Sequence, residues 1–174
     1  WYDVNDNKKT WTNKQIVQRS CGKFRREWET SSMKEKSYTP ENYPILRYGD
    51  VLLMLAEAEN EAHQGPTDLA YECINEIRQR AGISKLEGLS YTDFQQAVRD
   101  ERARELCFES LRKYDLVRWG IYVEAVHDKL GAATQDKRWA TGNQFIGARD
   151  YAARTQEKHQ FLPIPTKELD VNGK

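Results

Sequence analysis

Apolar residues recur at intervals of three and four through the middle of the chain, and this spacing predicts helices between residues 45 and 131. The first helix is predicted from Ile45 to Gln64 and is followed by Gly65 and Pro66, residues that end helices. Apolar residues cover most of its circumference, which is typical of a helix that packs on more than one side. Its main stripe consists of Val51, Leu55, Ala58 and Ala62, which Leu52, Leu53, Met54 and Ala56 widen.

Start and end signals bound three further helices. Thr67 or Asp68 caps the second helix, which ends at Gly82, and Ser90 or Thr92 opens the third. The apolar stripes of the second and fourth helices are Ala70, Cys73, Ile74, Ile77 and Ala81, and Leu116, Trp119, Val123, Val126 and Leu130, the last stripe being closed by Gly131.

The four helices form two antiparallel hairpins, at 45–82 and 91–131, each joined by a short turn. Consecutive hairpins of this kind stack on one another as helical repeats. Residues 1–44 are polar and aromatic-rich without a sustained period, and residues 132–161 are aperiodic. The pattern therefore predicts an all-α fold of stacked antiparallel helical hairpins in a single domain. An irregular N-terminal segment precedes them, and a long irregular C-terminal segment, 132–174, follows.

The composition is that of a globular domain with a substantial core: 174 residues, of which 39% are hydrophobic and 31% charged. Lysine plus arginine and aspartate plus glutamate number 27 each, so no excess of basic charge favours a nucleic-acid partner. The apolar runs are much shorter than the ~20 residues that a membrane-spanning helix needs.

The three cysteines and three histidines predict neither a disulfide framework nor a metal site, because their spacing is not that of ligands. Cys73 lies on an apolar stripe and Cys107 lies between Leu106 and Phe108, so both are predicted to be small buried hydrophobic residues. Cofactor-binding motifs are absent from the sequence as well.

Carboxylates interrupt the apolar stripe of the third helix. Phe94, Val98, Glu101, Glu105 and Phe108 follow one another at helical spacing, and two like charges one turn apart repel. Arginine can bridge two carboxylates, and Arg112 and Arg118 come just beyond this stripe. The sequence therefore predicts a structural ion network that locks two helices in register. Its predicted members are Glu101, Arg102, Glu105, Glu109, Arg112, Asp115 and Arg118, with Arg112 and Arg118 as the bridging cations.

Paired carboxylates could also serve glycoside hydrolysis, which needs one acid that keeps its proton. Carboxylates on adjacent turns of one helix face the same way rather than flanking a sugar, and the interleaved arginines hold both ionised. The sequence also lacks the GxSxG, HExxH and P-loop patterns. We therefore predict that the chain is not an enzyme.

Several aromatic side chains lie in polar surroundings where a role in the core is less evident. Flat aromatic surfaces pack against the C–H faces of sugar rings, and polar neighbours bind the hydroxyl groups. The plainer alternative is packing at an interface. Trp119 lies on an apolar stripe and is predicted to be in the core. The candidates for contact with a ligand are Trp1, Tyr2, Trp11, Trp28 and Trp139.

The stretch 101–119 resembles the C-terminal region of the SusD/RagB family, the surface nutrient-binding lipoproteins of Bacteroidetes. It matches a signature with Glu-Arg, Glu-Leu, Phe-Glu, Arg, Asp-Leu and Arg-Trp at fixed separations, but has Ser110 where the family usually has glycine. The resemblance covers 43–169 except for the insert after Leu130. Three further segments agree with the sequence pattern of the family. They are 44–58 (PILRYGDVLLMLAEA, with Gly49 for the usual alanine), Asn75, Arg78, Arg80, Ala81 and Gly82, and 162–169 (LPIP followed by Glu168 and Leu169).

The resemblance implies a tetratricopeptide-like superhelix and a function in nutrient capture at the outer surface of the bacterial outer membrane. It implies an oligosaccharide or peptide ligand, delivery to a SusC-like TonB-dependent transporter, and a lipid anchor and export signal upstream of Trp1. The chain would then be the C-terminal part of a longer protein, with much of the ligand site upstream. The alternative from another class is a tetratricopeptide-type scaffold that binds a protein or peptide partner.

Overall fold

The computed structural model describes residues 22–24, 42–130 and 146–172, and this part of the chain consists of helices and turns without a β-strand. The all-α fold that the periodicity predicts is therefore confirmed. The described residues fall into two compact units, one within 21–112 and the other within 113–174. Among them, no helix combines the length and apolar character that crossing a membrane requires.

Three helices build the first unit: α1 spans Tyr48–His63, α2 spans Asp68–Arg80 and α3 spans Tyr91–Glu105. The predicted caps determine where α2 and α3 begin. The Thr67 hydroxyl accepts a hydrogen bond from the backbone N–H of Ala70 at 3.1 Å, and Ser90 does the same for Asp93 at 3.2 Å. Each bond satisfies a backbone donor that has no partner within the helix.

The helix α1 packs against both α2 and α3 and contributes the centre of the core. Leu53, Ile74 and Phe94 are completely buried there. The Phe94 ring meets the Tyr71 ring edge to face, with the centroids 5.0 Å apart. The other buried members of this core are Leu52, Ala56, Ala70, Cys73, Ile77 and Val98. The first predicted hairpin, α1–α2, is thus a packed unit completed by α3.

The end of α3 differs from the prediction. The helix ends at Glu105 and a turn follows over 106–110, in which Phe108 and Ser110 have left-handed backbone angles, φ +64° and +61°. Because the backbone leaves the helical path, Phe108 points outward and is 68% exposed, and Cys107 is exposed as well. The prediction that these two side chains are buried is wrong, because the stripe does not continue past Glu105.

The second unit contains short helices. They are α4 (Arg112–Arg118), α5 (Tyr122–Ala125), a π-helical turn (Val126–Leu130), α6 (Ile146–Arg154), a 3-10 turn (Glu157–Gln160) and α7 (Thr166–Asn172). The single fourth helix predicted up to Gly131 is therefore divided. Gly120 has φ +69° and separates α4 from α5, since an α-helix cannot pass through that backbone conformation. The helices α6 and α7 lie within 132–174, so this segment is not irregular throughout, as the sequence predicted.

The core of the second unit is small. Leu116, Tyr122, Val126 and Ala152 are buried in it, and the half-buried Trp119 packs against them. The Arg118 guanidinium stacks over the Trp119 ring at 4.8 Å from its centroid. Four residues of the predicted stripe of the fourth helix, Leu116, Trp119, Val123 and Val126, thus belong to this core or pack against it, although the helix itself is divided.

Replacing Ser110 by glycine should raise the free energy of unfolding by about 0.5–1 kcal/mol. A non-glycine residue in the left-handed region costs about 1–2 kcal/mol, of which the greater flexibility of glycine in the unfolded chain cancels a part. Ser84→Gly is the matched control, because Ser84 has an ordinary backbone angle and should lose stability. Urea unfolding of the two variants measures the difference. Equal effects of both changes would mean that Ser110 is not strained.

Candidate functional site: an arginine clamp and an aromatic groove

Arg47 lies at the centre of an ionic cluster that joins the ends of all three helices of the first unit. Its Nε and Nη2 donate to the two carboxylate oxygens of Glu109, at 2.7 and 2.9 Å. Its Nη1 donates to the Glu105 carboxylate, and its Nη2 also donates to the Glu105 carbonyl at 2.6 Å. One planar guanidinium therefore holds two carboxylates, binding Glu109 with two hydrogen bonds in a geometry that an ammonium group cannot reproduce. We call Arg47, Glu105, Glu109, Lys23, Tyr43 and Arg80 the arginine clamp.

The clamp depends on where each helix begins or ends. Arg47 directly precedes α1, Arg80 is the last residue of α2, and Glu105 is the last residue of α3. Gly49 leaves room for the guanidinium, because a Cβ there would lie 2.8 Å from Arg47 Nη1 and 3.1 Å from Glu105 Oε1. The three helices thus contribute one charged end each to the same point.

Three further donors complete the clamp. The Lys23 ammonium donates to the Glu109 carboxylate and, at 2.6 Å, to the Glu105 carbonyl, and the Tyr43 hydroxyl donates to the Glu109 carbonyl at 2.7 Å. Arg80 donates to Glu105 from the exposed side. The last carbonyl groups of a helix lack hydrogen-bond partners within it and carry partial negative charge. Cations at this end of α3 donate hydrogen bonds to these groups and also neutralise their charge.

Two further ion pairs connect the same helices deeper in the unit. Arg102 of α3 donates to the Asp50 carboxylate of α1 at 2.8 Å, and both side chains are buried. Glu101 of α3 is also buried and accepts from Arg78 of α2 at 2.8 Å and from Arg104 at 3.2 Å. Both ion pairs therefore connect α3 to another helix, one to α1 and the other to α2.

The network differs from the predicted one in its cations. The prediction that Arg112 and Arg118 bridge Glu101 and Glu105 is wrong: Arg112 donates to the Arg99 carbonyl at 3.2 Å, and Arg118 pairs with Asp115 at 3.0 Å. The bridging arginines come from helix ends far away in sequence. Arg47 does not pair with Asp50, although the two are close in sequence: Arg47 binds Glu105 and Glu109, while Asp50 binds Arg102.

The arginines keep both clamp carboxylates ionised. Burial alone would raise the pKa of Glu105, but Arg80 and Arg47 outweigh it and hold the pKa below the ordinary value of 4.5. Glu109 likewise has a lowered pKa, because Arg47 and Lys23 outweigh its burial. Hydrogen bonds from Arg47, chiefly to Glu109, raise the pKa of the guanidinium despite its burial. Neither carboxylate is suited to donate a proton in catalysis.

A groove of about 500 Å³ lies in the second unit, between α6 and the segment that follows it. Two aromatic side chains line it: Tyr151, which is half-exposed, and Phe161, which is largely exposed. Lys113 and Arg154 also line the groove and can donate hydrogen bonds. The Tyr151 hydroxyl forms a hydrogen bond with the Tyr122 hydroxyl. Burial, together with this bond, raises the pKa of Tyr122 to about 12. The remaining lining residues are Gly147, Asp150, Thr155, His159, Leu162 and Pro163.

The predicted ligand contacts Trp1, Tyr2, Trp11, Trp28 and Trp139 lie outside the described residues, so they remain predictions. The described residues contain no group of three or more histidine, cysteine or carboxylate side chains able to hold a metal ion. Reasoning from the sequence also missed Lys23, Arg47, Arg78 and Arg80 as members of the ion network. Arg47, Arg78 and Arg80 belong to the segments that carry the family resemblance, whereas Lys23 does not.

The helical hairpin of the first unit and its all-α surroundings define a protein of the tetratricopeptide-like class. Comparison with known proteins identifies the family. The model of the SusD family matches residues 1–174, and the chain belongs to this family. Two SusD-like proteins of Formosa agariphila are 40% identical over 136 residues and 36% identical over 143 residues.

Solved structures agree with this assignment. A SusD homologue of Bacteroides thetaiotaomicron superposes with a TM-score of 0.68 at 36% identity, over 84% of this chain and 28% of that one. A SusD superfamily protein of Bacteroides vulgatus superposes with a TM-score of 0.58 at 31% identity, over 80% of this chain and 27% of that one. The matches to the two Formosa proteins each cover 76% of this chain but only 23% and 24% of theirs. The chain therefore spans about a quarter of the length of these relatives.

Replacing Arg47 by alanine should lower the free energy of unfolding by about 3 kcal/mol, because Glu105 and Glu109 lose their shared partner while staying buried. Arg47→Lys should recover only part of this loss, since an ammonium cannot bind both carboxylates in the same way. Arg104→Ala is the control: its side chain is 59% exposed, and the expected loss is below about 1 kcal/mol. Denaturant unfolding measures all three, and equal losses for Arg47→Ala and Arg104→Ala would contradict the clamp.

Acid should weaken the clamp. The folded pKa values of Glu105 and Glu109 lie below their ordinary value of 4.5, so below that pH the unfolded chain binds more protons. The stabilisation is complete above pH 4.5 and is lost as the pH falls through the folded pKa values. Urea midpoints measured from about pH 7 down to about pH 3 should fall more steeply for the parent than for the double variant Glu105→Gln, Glu109→Gln. Parallel curves would contradict this account.

Proposed function

We propose that the chain is the C-terminal part of a longer, lipid-anchored protein that binds nutrient glycans at the outer surface of the bacterial outer membrane. The bound glycan passes to a SusC-like TonB-dependent transporter, and the protein carries out no chemistry on it. The observation that carries the proposal is the match of the SusD family over residues 1–174, together with curated relatives of which the chain covers only 23% and 24%.

The described residues support a role in binding rather than catalysis. In the clamp, arginines bind Glu105 and Glu109 and lower the pKa values of both carboxyl groups. These carboxylates therefore hold the helices together and are poor proton donors. The groove of the second unit offers what a sugar needs: the exposed rings of Tyr151 and Phe161 for its C–H faces, and Lys113 and Arg154 as donors to its hydroxyl groups. This groove is one candidate contact, and Trp11 and Trp28 are the other.

The test is titration of the whole gene product with a panel of neutral and acidic oligosaccharides, followed by calorimetry and by tryptophan fluorescence. Tyr151→Ala and Phe161→Ala should each weaken binding about fivefold, because one stacking contact contributes about 1 kcal/mol. Tyr114→Ala is the matched control, since Tyr114 is 70% exposed but does not line the groove. The same measurements on Trp11→Ala and Trp28→Ala test the other candidate.

The outcomes separate the parts of the proposal. Loss of affinity in the tryptophan variants alone would place the ligand outside the groove. Glycans recovered shorter than they were added would contradict a pure binding function. Absence of binding to every glycan, with tight binding of a protein or peptide, would favour a scaffold function instead.

A further inference from the structure

The groove of the second unit contains two cationic side chains that have no carboxylate partner among the described residues. Lys113 and Arg154 both line the groove, and neither forms an ion pair with an aspartate or glutamate of the described part of the chain. The Lys113 ammonium lies over the Tyr122 ring, 5.4 Å from its centroid, which leaves its charge uncompensated by any described anion.

The arginines of the first unit show the opposite arrangement. Arg47, Arg78 and Arg102 each bind a carboxylate of another element. Arg80 and Arg104 also bind carboxylates, although both side chains are more than half exposed. Cations paired in this way hold helices together, whereas the two cations of the groove join no described elements through an ion pair. Their charge is therefore available to a ligand.

The other titratable groups of the groove leave this positive charge in excess. Asp150 is the one carboxylate among the described lining residues, and its Oδ1 lies 3.8 Å from the Nε of Arg149. The Nδ1 of His159 accepts a hydrogen bond from the Gln156 backbone N–H at 2.9 Å. In the neutral imidazole the proton therefore lies on Nε2, which can donate. The groove thus offers two positive charges, one negative charge and one neutral donor.

Two exposed aromatic rings accompany these charges. Tyr151 is 51% exposed and Phe161 is 73% exposed, and both line the groove. Such rings pack against the C–H faces of a sugar. The volume of about 500 Å³ is typical of a small-molecule site. A ligand that satisfies both features has an apolar ring face and an anionic group on the same molecule.

We propose that the groove binds a sugar that carries an anionic group, either a ring carboxylate or a sulfate ester. The sugar ring packs against Tyr151 and Phe161. Its anionic group pairs with Arg154, whose planar guanidinium can bind two oxygens at once, and with the Lys113 ammonium. The inference rests on the proposed function, because it names the class of glycan that the groove takes.

The remaining polar groups of the groove suit the hydroxyl groups of such a sugar. The Asp150 carboxylate can accept a hydrogen bond from a hydroxyl group, and the His159 Nε2–H can donate one. An acidic peptide is the other ligand that would pair with the two cations. The exposed rings, together with one acceptor and one donor for hydroxyl groups, favour the sugar.

The experiment compares matched charged and neutral sugars by calorimetry on the whole gene product. The probes are trigalacturonate with its methyl ester, and a sulfated galactan tetrasaccharide with its desulfated form, so that the two sources of charge are tested separately. The charged member of at least one pair should bind at least about tenfold more tightly than its neutral partner. Raising the NaCl concentration from about 0.05 M to about 0.5 M should weaken only the charged member.

Variants assign the binding to the groove. Arg154→Met and Lys113→Met remove a charge but keep an unbranched side chain, and each should weaken binding of the charged sugar at least about fivefold. Lys158→Met is the matched control, because Lys158 is exposed in the same unit but does not line the groove, and it should change the affinity less than about twofold. Because Lys113 also contacts the Tyr122 ring, melting temperatures check folding, and Arg154→Met decides if Lys113→Met is unstable.

Four outcomes would overturn the proposal. Equal affinity for the charged and neutral members of both pairs would show that the groove does not select charge, and the proposed function would stand. Binding of a charged sugar that neither groove variant weakens would place its site elsewhere. Equal weakening by Lys158→Met would show general attraction to a basic surface. Binding of tetraglutamate without binding of any sugar would show an acidic peptide ligand, and that result alone would also contradict the proposed function.

Discussion

The structure of the first unit depends on the contact between one guanidinium and two carboxylates. Arg47 stands where α1 begins, and Glu105 and Glu109 stand where α3 ends, so the contact fixes both the register and the crossing point of the helices. Apolar packing alone does not specify register as strongly, because it is non-directional. A bidentate ionic contact does, since its hydrogen bonds form in one geometry. The ionic contact therefore specifies how the three helices are arranged, in addition to stabilising them.

The same contact explains the irregular chain around it. The turn over 106–110 places Glu109 back toward Arg47, and the left-handed angles of Phe108 and Ser110 are the local cost. The Glu105 carbonyl at the end of α3 accepts from Arg47 and Lys23, and the Glu109 carbonyl in the turn accepts from Tyr43. Exposure of Phe108 follows from this turn. Features that look separate in the sequence are thus consequences of one ionic arrangement.

Reasoning from the sequence located the acidic residues of the network and Arg102, but not the other arginines that bind these acidic residues. Glu101 and Glu105 stand out because a charge within an apolar stripe breaks a periodic pattern, and such a break is visible in a single segment. Arg47, Arg78 and Arg80 break no pattern, since arginines at helix ends are common on surfaces. Which of them reaches a carboxylate depends on how α1, α2 and α3 are arranged, and contacts between residues as far apart as Arg47 and Glu109 have no local signal.

By itself, the sequence determined the helical class, the caps at Thr67 and Ser90, most core residues and the family, because these rest on local periodicity and on ordered motifs. The tertiary structure alone decided the partners of each charge, the division of the fourth helix at Gly120 and the exposure of Cys107 and Phe108. It also showed that Leu53 and Ala56 of α1 are buried in the core, whereas Val51 and Leu55 of the predicted main stripe are exposed. Periodicity reports which side chains avoid water, whereas only the packed chain determines what each of them meets.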